Sequence, residues 1–339
     1  MRTAHDLRVG DSTTSTVDER VDLVVTSPPY PMIEMWDAQF ASQSPAVATA
    51  LEEGRGDDAF AAMHALLDEV WDEVVRLLRP GGIACVNVGD ATRSIGGEFQ
   101  CFPNHARVTS ALTERGLTPL PNVLWRKPTN RLTKFMGSGT LPTNAYVTLE
   151  HEYVLVFRKG PPREFPPGDE TRYESAFFWE ERNRWFSDLW ELPGTGQART
   201  GDGRERAGAY PVELPLRLIR MYSTYGDRVY DPFLGTGTTT LAAMLAGRHS
   251  IGRELDPPLL AGFEDRIAEL PARSRERVDD RLDRHRAFVH ERDEPPAYDA
   301  VHYDVPVVTR QERQIRLYVV TGVERVEDER RYVVSYDPR

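Results

Sequence analysis

Lysine is nearly missing from this 339-residue chain: it stands at Lys127, Lys134 and Lys159, and every other basic side chain is arginine. Acidic residues outnumber basic ones 53 to 42, for a net charge of −11. Such an acid-rich, lysine-poor surface stays hydrated in a salt-rich cytoplasm, and that habitat is the expectation. The negative total opposes a uniformly basic face for nucleic acid, but it leaves room for a local positive groove. Cysteine is equally scarce. Cys85 and Cys101 alone exclude a disulfide framework and a cysteine-rich zinc site. The histidines, His64, His105 and His151 among them, lack metal-ligand spacing, so no metal is expected. No apolar run approaches the roughly 20 residues of a membrane span. The opening MRTAHDLRVGD has no apolar core of a secretory signal, so a cytoplasmic protein is expected. Internal repeats are absent as well. What remains is 40% hydrophobic and 9% aromatic, a globular composition.

Val21 to Thr26 reads as a buried strand cut off by Pro28. Residues 38–58, rich in Ala, Ser, Gly and acids, read as a loop or a short surface helix. Apolar residues recur at helical spacing from Ala59 to Leu78, Arg79-Pro80-Gly81-Gly82 ends the run, and Ile83 to Val88 follows as a strand. This is a helix–turn–strand unit of α/β type. His105 to Arg115 predicts a helix, and Leu120–Trp125 and His151–Phe157 two paired strands. Residues 160–208 show no period and read as an irregular insertion. Further along, Leu214–Tyr222 is a helix, Arg228–Tyr230 a strand, Leu241–Ala246 a helix and Ser250–Gly252 the end of a strand. Residues 271–294 carry both charge signs and fit a solvated helix. The alternation after Val305 predicts a small β appendage. The implied organisation is a domain over 1–265 and an appendage over 266–339.

Two stretches carry the chemistry. Val24-Val25-Thr26-Ser27-Pro28-Pro29-Tyr30 ends a core strand on two prolines and an aromatic ring, a rigid ledge where a plain turn needs no ring. Asp231-Pro232-Phe233-Leu234-Gly235-Thr236-Gly237-Thr238-Thr239-Thr240 lies between a strand and a helix. Its glycines let backbone approach a ligand, and the helix behind offers unpaired N–H groups. A P-loop is excluded because no lysine follows the second glycine. A dinucleotide fingerprint is incomplete, with Thr240 in place of its third glycine; an ordinary strand–helix turn stays open. Glu254 ends the next strand, where an acid can accept hydrogen bonds from a ribose diol. Acids on both sides of a glycine turn suit a nucleoside without pyrophosphate, and S-adenosylmethionine fits that description.

The pair TSPPY…DPFLGTGTT, in this order, resembles the permuted β class of DNA amino-methyltransferases. The likeness spans about residues 6–265 and includes Gly10-Asp11, RPGGIACVNVGD at 79–90, HEYVLVFRKG at 151–160 and PVELPLRLIRMYSTYGDRVYDPF. Ala209-Tyr210 departs from the His-Pro lead-in common in the class, which bears on the methionine-tail pocket. The resemblance implies a Rossmann-like methyltransferase sheet, mostly parallel with one antiparallel strand and helices on both faces. It implies that Asp231 and the loop Phe233, Gly235, Thr236, Gly237, Thr238 and Thr239 hold the methionine part of S-adenosylmethionine, with Thr26 and Pro232 in the same cofactor set. Glu254 would bind the ribose, and Asp11 the adenine amine, although Asp11 reads equally as a turn residue after Gly10. Ser27, Pro28, Pro29 and Tyr30 form the implied catalytic loop. The implied partners are double-stranded DNA and, in a restriction–modification setting, a separately acting endonuclease.

An exocyclic amine is a poor nucleophile because its lone pair is delocalised into the ring. Acceptors on Ser27 and the Pro28 carbonyl, held by proline's fixed φ, would draw that pair out of conjugation. Tyr30 would stack on the flipped base. Serine at 27, where Asp or Asn also occurs in the class, leans towards cytosine N4; adenine N6 stays open. Carbon-5 methylation needs a cysteine nucleophile, and Cys85 and Cys101 read as structural. Sequence recognition falls to insertions at about 126–150 and 161–208, with Arg126, Lys127, Arg131 and Lys134 as phosphate or base contacts or plain surface charge. PMIEMWD after Tyr30 is similar to archaeal members that modify CTAG sites. The rivals are an RNA or protein amine methyltransferase, an idle DNA-binding relative and a nucleotide-dependent oxidoreductase.

Overall fold

A computed structural model describes residues 1–13, 18–127, 136–194, 210–326 and 329–339. Among them ten strands form one sheet: β1 (Arg2–Val9), β2 (Val21–Thr26), β3 (Leu78–Val88), β4 (Leu117–Arg126), β5 (His151–Lys159), β6 (Leu189–Glu191), β7 (Arg228–Asp231), β8 (His249–Glu254), β9 (Tyr318–Val326) and β10 (Arg331–Pro338). Their order across the sheet is β6-β4-β5-β3-β2-β7-β8-β1-β10-β9. β2 lies parallel between β3 and β7 and is buried at all of its positions, as expected for a strand covered on both faces. Its side chains alternate between two cores. Val24 packs with Met63, Leu67 and Trp71 of helix α1 (Gly56–Leu77). Leu23 and Val25 pack with Leu218 and Ile219 of α3 (Glu213–Tyr222) and Ala242 of α4 (Thr238–Ala246). Helix α2 (Asn104–Glu114) completes the first face.

The predicted helices and strands are present, with ends shifted by a few residues. The stretch left open at 38–58 holds two short helices, Asp37–Gln43 and Pro45–Glu52, before α1 begins. The predicted pair of strands is antiparallel, β4 with β5, and β5 is the expected reversed strand. A second reversed strand, β10, was not expected.

That second reversal changes the reading of the C-terminus. β10 pairs with β1, and Tyr332, Val334 and Tyr336 join Leu7, Leu241 and Phe263 in one core, so the β9–β10 hairpin extends the main sheet and is no appendage. The charged helix α5 (Leu270–His290) is not fully solvated either. It buries Leu270, Val278, Leu282 and His285, and Arg281 makes a two-bond ion pair (2.6 and 2.8 Å) with Glu181. The insertion expected to read DNA at 161–208 divides within its described part, 161–194: Leu189–Glu191 pairs with β4 beside Arg126, at the cavity end of the sheet, whereas its start lies elsewhere. A Cβ at Gly81 would stand 2.8 Å from the backbone nitrogen of Arg163, which places this segment's start at the amino end of β3, the end opposite Ser27. Its short helices Glu170–Glu174 and Trp179–Trp185 then pack against the C-terminal segment. Residues 195–209 lie outside the described residues.

Candidate active site

The carboxyl ends of β2 and β7 lie side by side, although some two hundred residues separate them in the chain. Thr26 donates to Asp231 Oδ1 at 2.6 Å and ties the two ends together. Ser27-Pro28-Pro29-Tyr30 leaves one strand and the glycine loop leaves the other, and both line a single cavity of about 620 Å³. That volume is of the usual size for a small-molecule site, and its place at a sheet's carboxyl edge is usual for nucleoside-binding α/β proteins.

The walls fit a cationic nucleoside. Asp11, Glu69, Glu152, Asp231, Glu254 and Asp256 line the cavity against Lys127 and Arg253, a balance hostile to pyrophosphate. Glu254 is 8% exposed. Its Oε2 accepts from Gly235 N (2.7 Å) and its Oε1 from Asp256 N (2.8 Å), which pins the carboxylate at the end of β8. Burial raises its pKa from the ordinary carboxylate range. Asp231 is buried more deeply still, and burial pushes its pKa up to about 6 despite hydrogen bonds from the Thr26 hydroxyl (2.6 Å) and the Phe233 N–H (3.1 Å). A bound ammonium would favour its ionised form.

The two loop glycines do different work. A Cβ at Gly235 (φ +55°) would meet nothing nearer than 3.9 Å, so its open side is available to a ligand. A Cβ at Gly237 (φ +83°) would stand 2.6 Å from the ring of Phe263, so this glycine serves helix packing and not ligand approach. Thr26 and Thr239 lie beneath the cavity wall rather than on it. Thr26 is fully buried, and Thr239 donates to Val25 O (3.3 Å) and bonds the hydroxyl of Tyr210. Pro232, Phe233, Thr236 and Thr238 line the wall. Asp11 also lines it, while its Oδ1 accepts from Thr13 N at 2.8 Å, so the turn geometry and the cavity position coexist.

Tyr30 is held by Ser27 and by two polar partners, Asn87 and Glu152, that the sequence had not singled out. Its hydroxyl donates to Glu152 Oε2 at 2.8 Å, lies 3.0 Å from Ser27 Oγ and accepts from Asn87 Nδ2 at 2.7 Å. Asn87 Nδ2 also reaches Glu152 Oε2 at 2.6 Å, and Lys127 Nζ pairs with Glu152 Oε1. Burial and the Glu152 charge raise the Tyr30 pKa well above its ordinary value, so the phenol stays protonated. A Cβ at Gly89 would come within 3.1 Å of the Tyr30 ring, so a glycine there leaves the ring its place. The sequence signal for Asn87 and Glu152 was a polar side chain at the cavity end of an apolar strand, in ACVNV and HEYVLVF.

The expected DNA contacts divide. Lys127 is committed to Glu152 and lies 4.4 Å over the Trp125 ring, so it is a cavity residue. Arg126 is half-exposed and paired with Glu150 (3.5 Å) and Glu191 (3.0 Å) at the rim. Arg131 and Lys134 lie outside the described residues. Beyond them a small exposed arm, Met136–Gly137 paired with Ala145–Tyr146, leans on Phe99 through a stacked Tyr146 ring (5.0 Å). Cys85 is buried and Cys101 lies on the hairpin Ala91–Ile95/Glu98–Phe102; neither lines the cavity. Among the described residues no cluster of metal-binding side chains occurs, and no helix is long and apolar enough to cross a membrane.

A sheet of this topology, with an acidic nucleoside cleft and a proline-braced ledge at its carboxyl edge, defines the class of Rossmann-like methyltransferases. Residues 21–263 match the model of the N6/N4 DNA methylase family, and the chain belongs to that family. It is a DNA methyltransferase that uses S-adenosylmethionine. The type II methyltransferase M.MthZI of Methanothermobacter thermautotrophicus is 49% identical over 325 residues, 94% of this chain and 91% of that protein. M.MjaI of Methanocaldococcus jannaschii, also a type II methyltransferase, is 49% identical over 261 residues, 74% of this chain and 86% of its own. Among solved structures, the Thermus thermophilus protein TTHA0409, provisionally named a DNA modification methylase and complexed with S-adenosyl-L-methionine, aligns with a TM-score of 0.60 at 32% identity. That alignment covers 78% of this chain and 95% of the other. The cytosine-N4-specific PvuII DNA methyltransferase shares the fold, with a TM-score of 0.51 at 19% identity over 77% of this chain and 86% of its own.

Proposed function

We propose that the protein methylates the exocyclic N4 amine of cytosine in duplex DNA, at a base flipped from the helix, as the modification half of a restriction–modification system. The observation that supports this most is the joining of the two strand ends. The Thr26–Asp231 bond sets Ser27 and the Pro28 carbonyl beside the glycine loop in one cavity. Bound there, S-adenosylmethionine supplies an electrophilic methyl carbon, and its carbon–sulfur bond breaks with the electron pair going to sulfur. Asp231 lies beside the loop that would receive the methionine ammonium, and Glu254 would accept from the ribose hydroxyls. Ser27 Oγ and the Pro28 carbonyl accept from the target amine and localise its lone pair. Tyr30 offers a ring face fixed at its hydroxyl end, and stacking a flipped base on it contributes about 1–3 kcal/mol.

Serine at 27 and the cytosine-N4 name of a fold neighbour favour cytosine over adenine. PMIEMWD, similar to archaeal members of the class that modify CTAG sites, favours CTAG as the site. DNA contact falls to the arm over 136–146 and to Arg126, which would exchange its carboxylate partners for phosphate. The test is incubation with labelled S-adenosylmethionine and plasmid DNA, with modified bases mapped by sequencing. N4-methylcytosine in CTAG is expected. N6-methyladenine would replace the cytosine reading, and transfer to RNA or protein alone would overturn it. Ser27→Ala is expected to abolish transfer while S-adenosylmethionine still binds.

A further inference from the structure

A methylated amine nitrogen carries one proton too many, and the cavity shows where that proton can go. The direction of the hydrogen bonds around Tyr30 follows from the valence of each group. A carboxylate only accepts, so Tyr30 must give its single proton to Glu152 Oε2. Its two lone pairs are then taken by Asn87 Nδ2–H and by Ser27, so the Ser27 hydroxyl must donate to Tyr30. Ser27 Oγ is thereby left with lone pairs alone for the cavity, the polarity that an incoming N–H requires. Asn87 spends its amide hydrogens on Tyr30 and Glu152 while its buried Oδ1 makes no hydrogen bond among the described residues. Its orientation is thus set by the carboxylate. Lys127 supplies the countercharge on the far oxygen of Glu152.

We propose that Ser27, Tyr30 and Glu152 form a proton outlet for the target amine, with Glu152 as both the residue that sets the chain's polarity and its terminal acceptor. The inference rests on the amine-methylation reading above. As the nitrogen bonds to the methyl carbon it becomes positively charged, and one of its protons passes to Ser27 Oγ. In the same motion the Ser27 proton moves to the Tyr30 oxygen and the Tyr30 proton moves to Glu152. The serine and the tyrosine end as neutral hydroxyls. Glu152 ends as a carboxylic acid that later loses its proton to water in the cleft. Because the shifts are concerted, Tyr30 never becomes a phenolate, which fits a phenol whose ionisation is suppressed. Ser27 touches the substrate; Glu152 acts through Tyr30 and is a positioning residue and proton sink.

The test compares Tyr30→Phe, Glu152→Gln, Glu152→Asp and the Tyr30→Phe/Glu152→Gln double variant with the wild type. Single-turnover methylation, its solvent deuterium isotope effect, S-adenosylmethionine and DNA affinity, thermal melting and 2-aminopurine flipping fluorescence are measured on each. Tyr30→Phe and Glu152→Gln are each expected to slow methylation on the order of a hundredfold. Affinities and flipping signal should stay within about twofold of wild type and the melting midpoint within a few degrees, the double variant should be no slower than the slower single one, and Glu152→Asp should recover part of the rate. The wild-type isotope effect should fall towards unity in both single variants. A Tyr30→Phe enzyme at the wild-type rate overturns the outlet. So do losses that add in the double variant, or losses that track affinity, melting or flipping. Rates are expressed relative to the wild type on whichever DNA amine it methylates, so an adenine product would revise the base assignment without touching this result.

Discussion

Replacing each glycine of the cofactor loop by alanine should separate stability from binding. Gly237 holds φ +83°, and the added Cβ would sit 2.6 Å from two ring carbons of Phe263. That ring is 2% exposed and packed with Leu7, Leu234 and Leu241, so it has little room to withdraw. The left-handed backbone costs an alanine about 1–2 kcal/mol and the overpacking about 1–3 more, together about 2–5 kcal/mol. Set against a typical total of about 5–15 kcal/mol, this is a large share. Gly235 also has positive φ but meets nothing within 3.9 Å, so only the backbone cost applies, about 1–2 kcal/mol. Its methyl group, however, stands on the side open to a ligand. Gly97 provides the calibration: φ +83° with nothing within 4 Å, far from the loop in sequence. Urea unfolding of the three variants, with calorimetric titration of S-adenosylmethionine, should show Gly237→Ala the least stable. Gly235→Ala should be about as stable as Gly97→Ala while binding the cofactor at least about tenfold more weakly, a loss of some 1.4 kcal/mol. Equal unfolding midpoints for Gly235→Ala and Gly237→Ala would refute the packing role, and wild-type affinity in Gly235→Ala would refute the ligand-facing one.

Asp231 titrates near 6 in the fold against 3.8 in a free chain, so its stabilising share is present below 3.8 and lost as pH rises through 6. Ionised, it costs the fold about 3 kcal/mol, a cost that a neighbouring ammonium offsets. Cofactor affinity should therefore fall as pH drops below about 6, with proton release seen by calorimetry in two buffers; a flat profile from pH 5 to 7.5 would remove Asp231 from ammonium binding. Arg281→Met removes the ion-pair partner of the buried Glu181, leaving it the Phe178 N–H and the Arg220 charge, and should cost up to about 3–5 kcal/mol in urea unfolding. The double change Arg281→Met/Glu181→Leu should recover most of it, and a single-variant loss below about 1 kcal/mol would disprove the clamp. Truncation after Leu317 strips β10 from β1 and bares that strand's edge, so light scattering should report aggregation; a soluble monomer would mean the hairpin is dispensable.

The central strands were legible because burial on both faces leaves a nearly continuous apolar run, as in Val21 to Val25, broken only by Asp22, which Arg79 pairs at 2.7 Å. β1 escaped notice for the opposite reason. Two of the side chains on its buried side, Thr3 and His5, are polar, and only hydrogen bonds to Tyr336 (2.9 Å) and Ser250 (2.8 Å) make them core residues. Those partners lie hundreds of residues away, beyond any local pattern. The same holds for α5, whose Arg281 and His285 read as solvated charges until Glu181 and Glu180 arrive from another segment. At the site, loops with unusual composition announced themselves, whereas Asn87 and Glu152 sit in ordinary strands. What marks them is the strand end on which they fall, and pairing in the folded sheet decides that.

Thr26 makes the same point from inside the site. On sequence it belonged with the cofactor ligands; in the fold it is sealed from the cavity and bonded to Asp231. Its place is between the two halves. β2 and β7 are parallel neighbours with Leu23 opposite Val229 and Val24 opposite Tyr230. Any chain order that keeps those strands adjacent brings the Ser27–Tyr30 loop beside the glycine loop, so the permuted order costs the site nothing. Register is what the site cannot lose. A slip of one residue would exchange the faces of Leu23, Val24 and Val25, bury a wrong side chain against α1, and carry Ser27 away from the glycine loop. The Thr26–Asp231 bond sits at the last rung, where such a slip would be felt first. It also ties the ordering of the Ser27–Tyr30 loop to a carboxylate whose ionisation a bound ammonium would favour. Thr26→Val, which keeps the shape and removes the donor, should therefore weaken cofactor binding and base flipping together. If only one of them changed, the two halves would be independent.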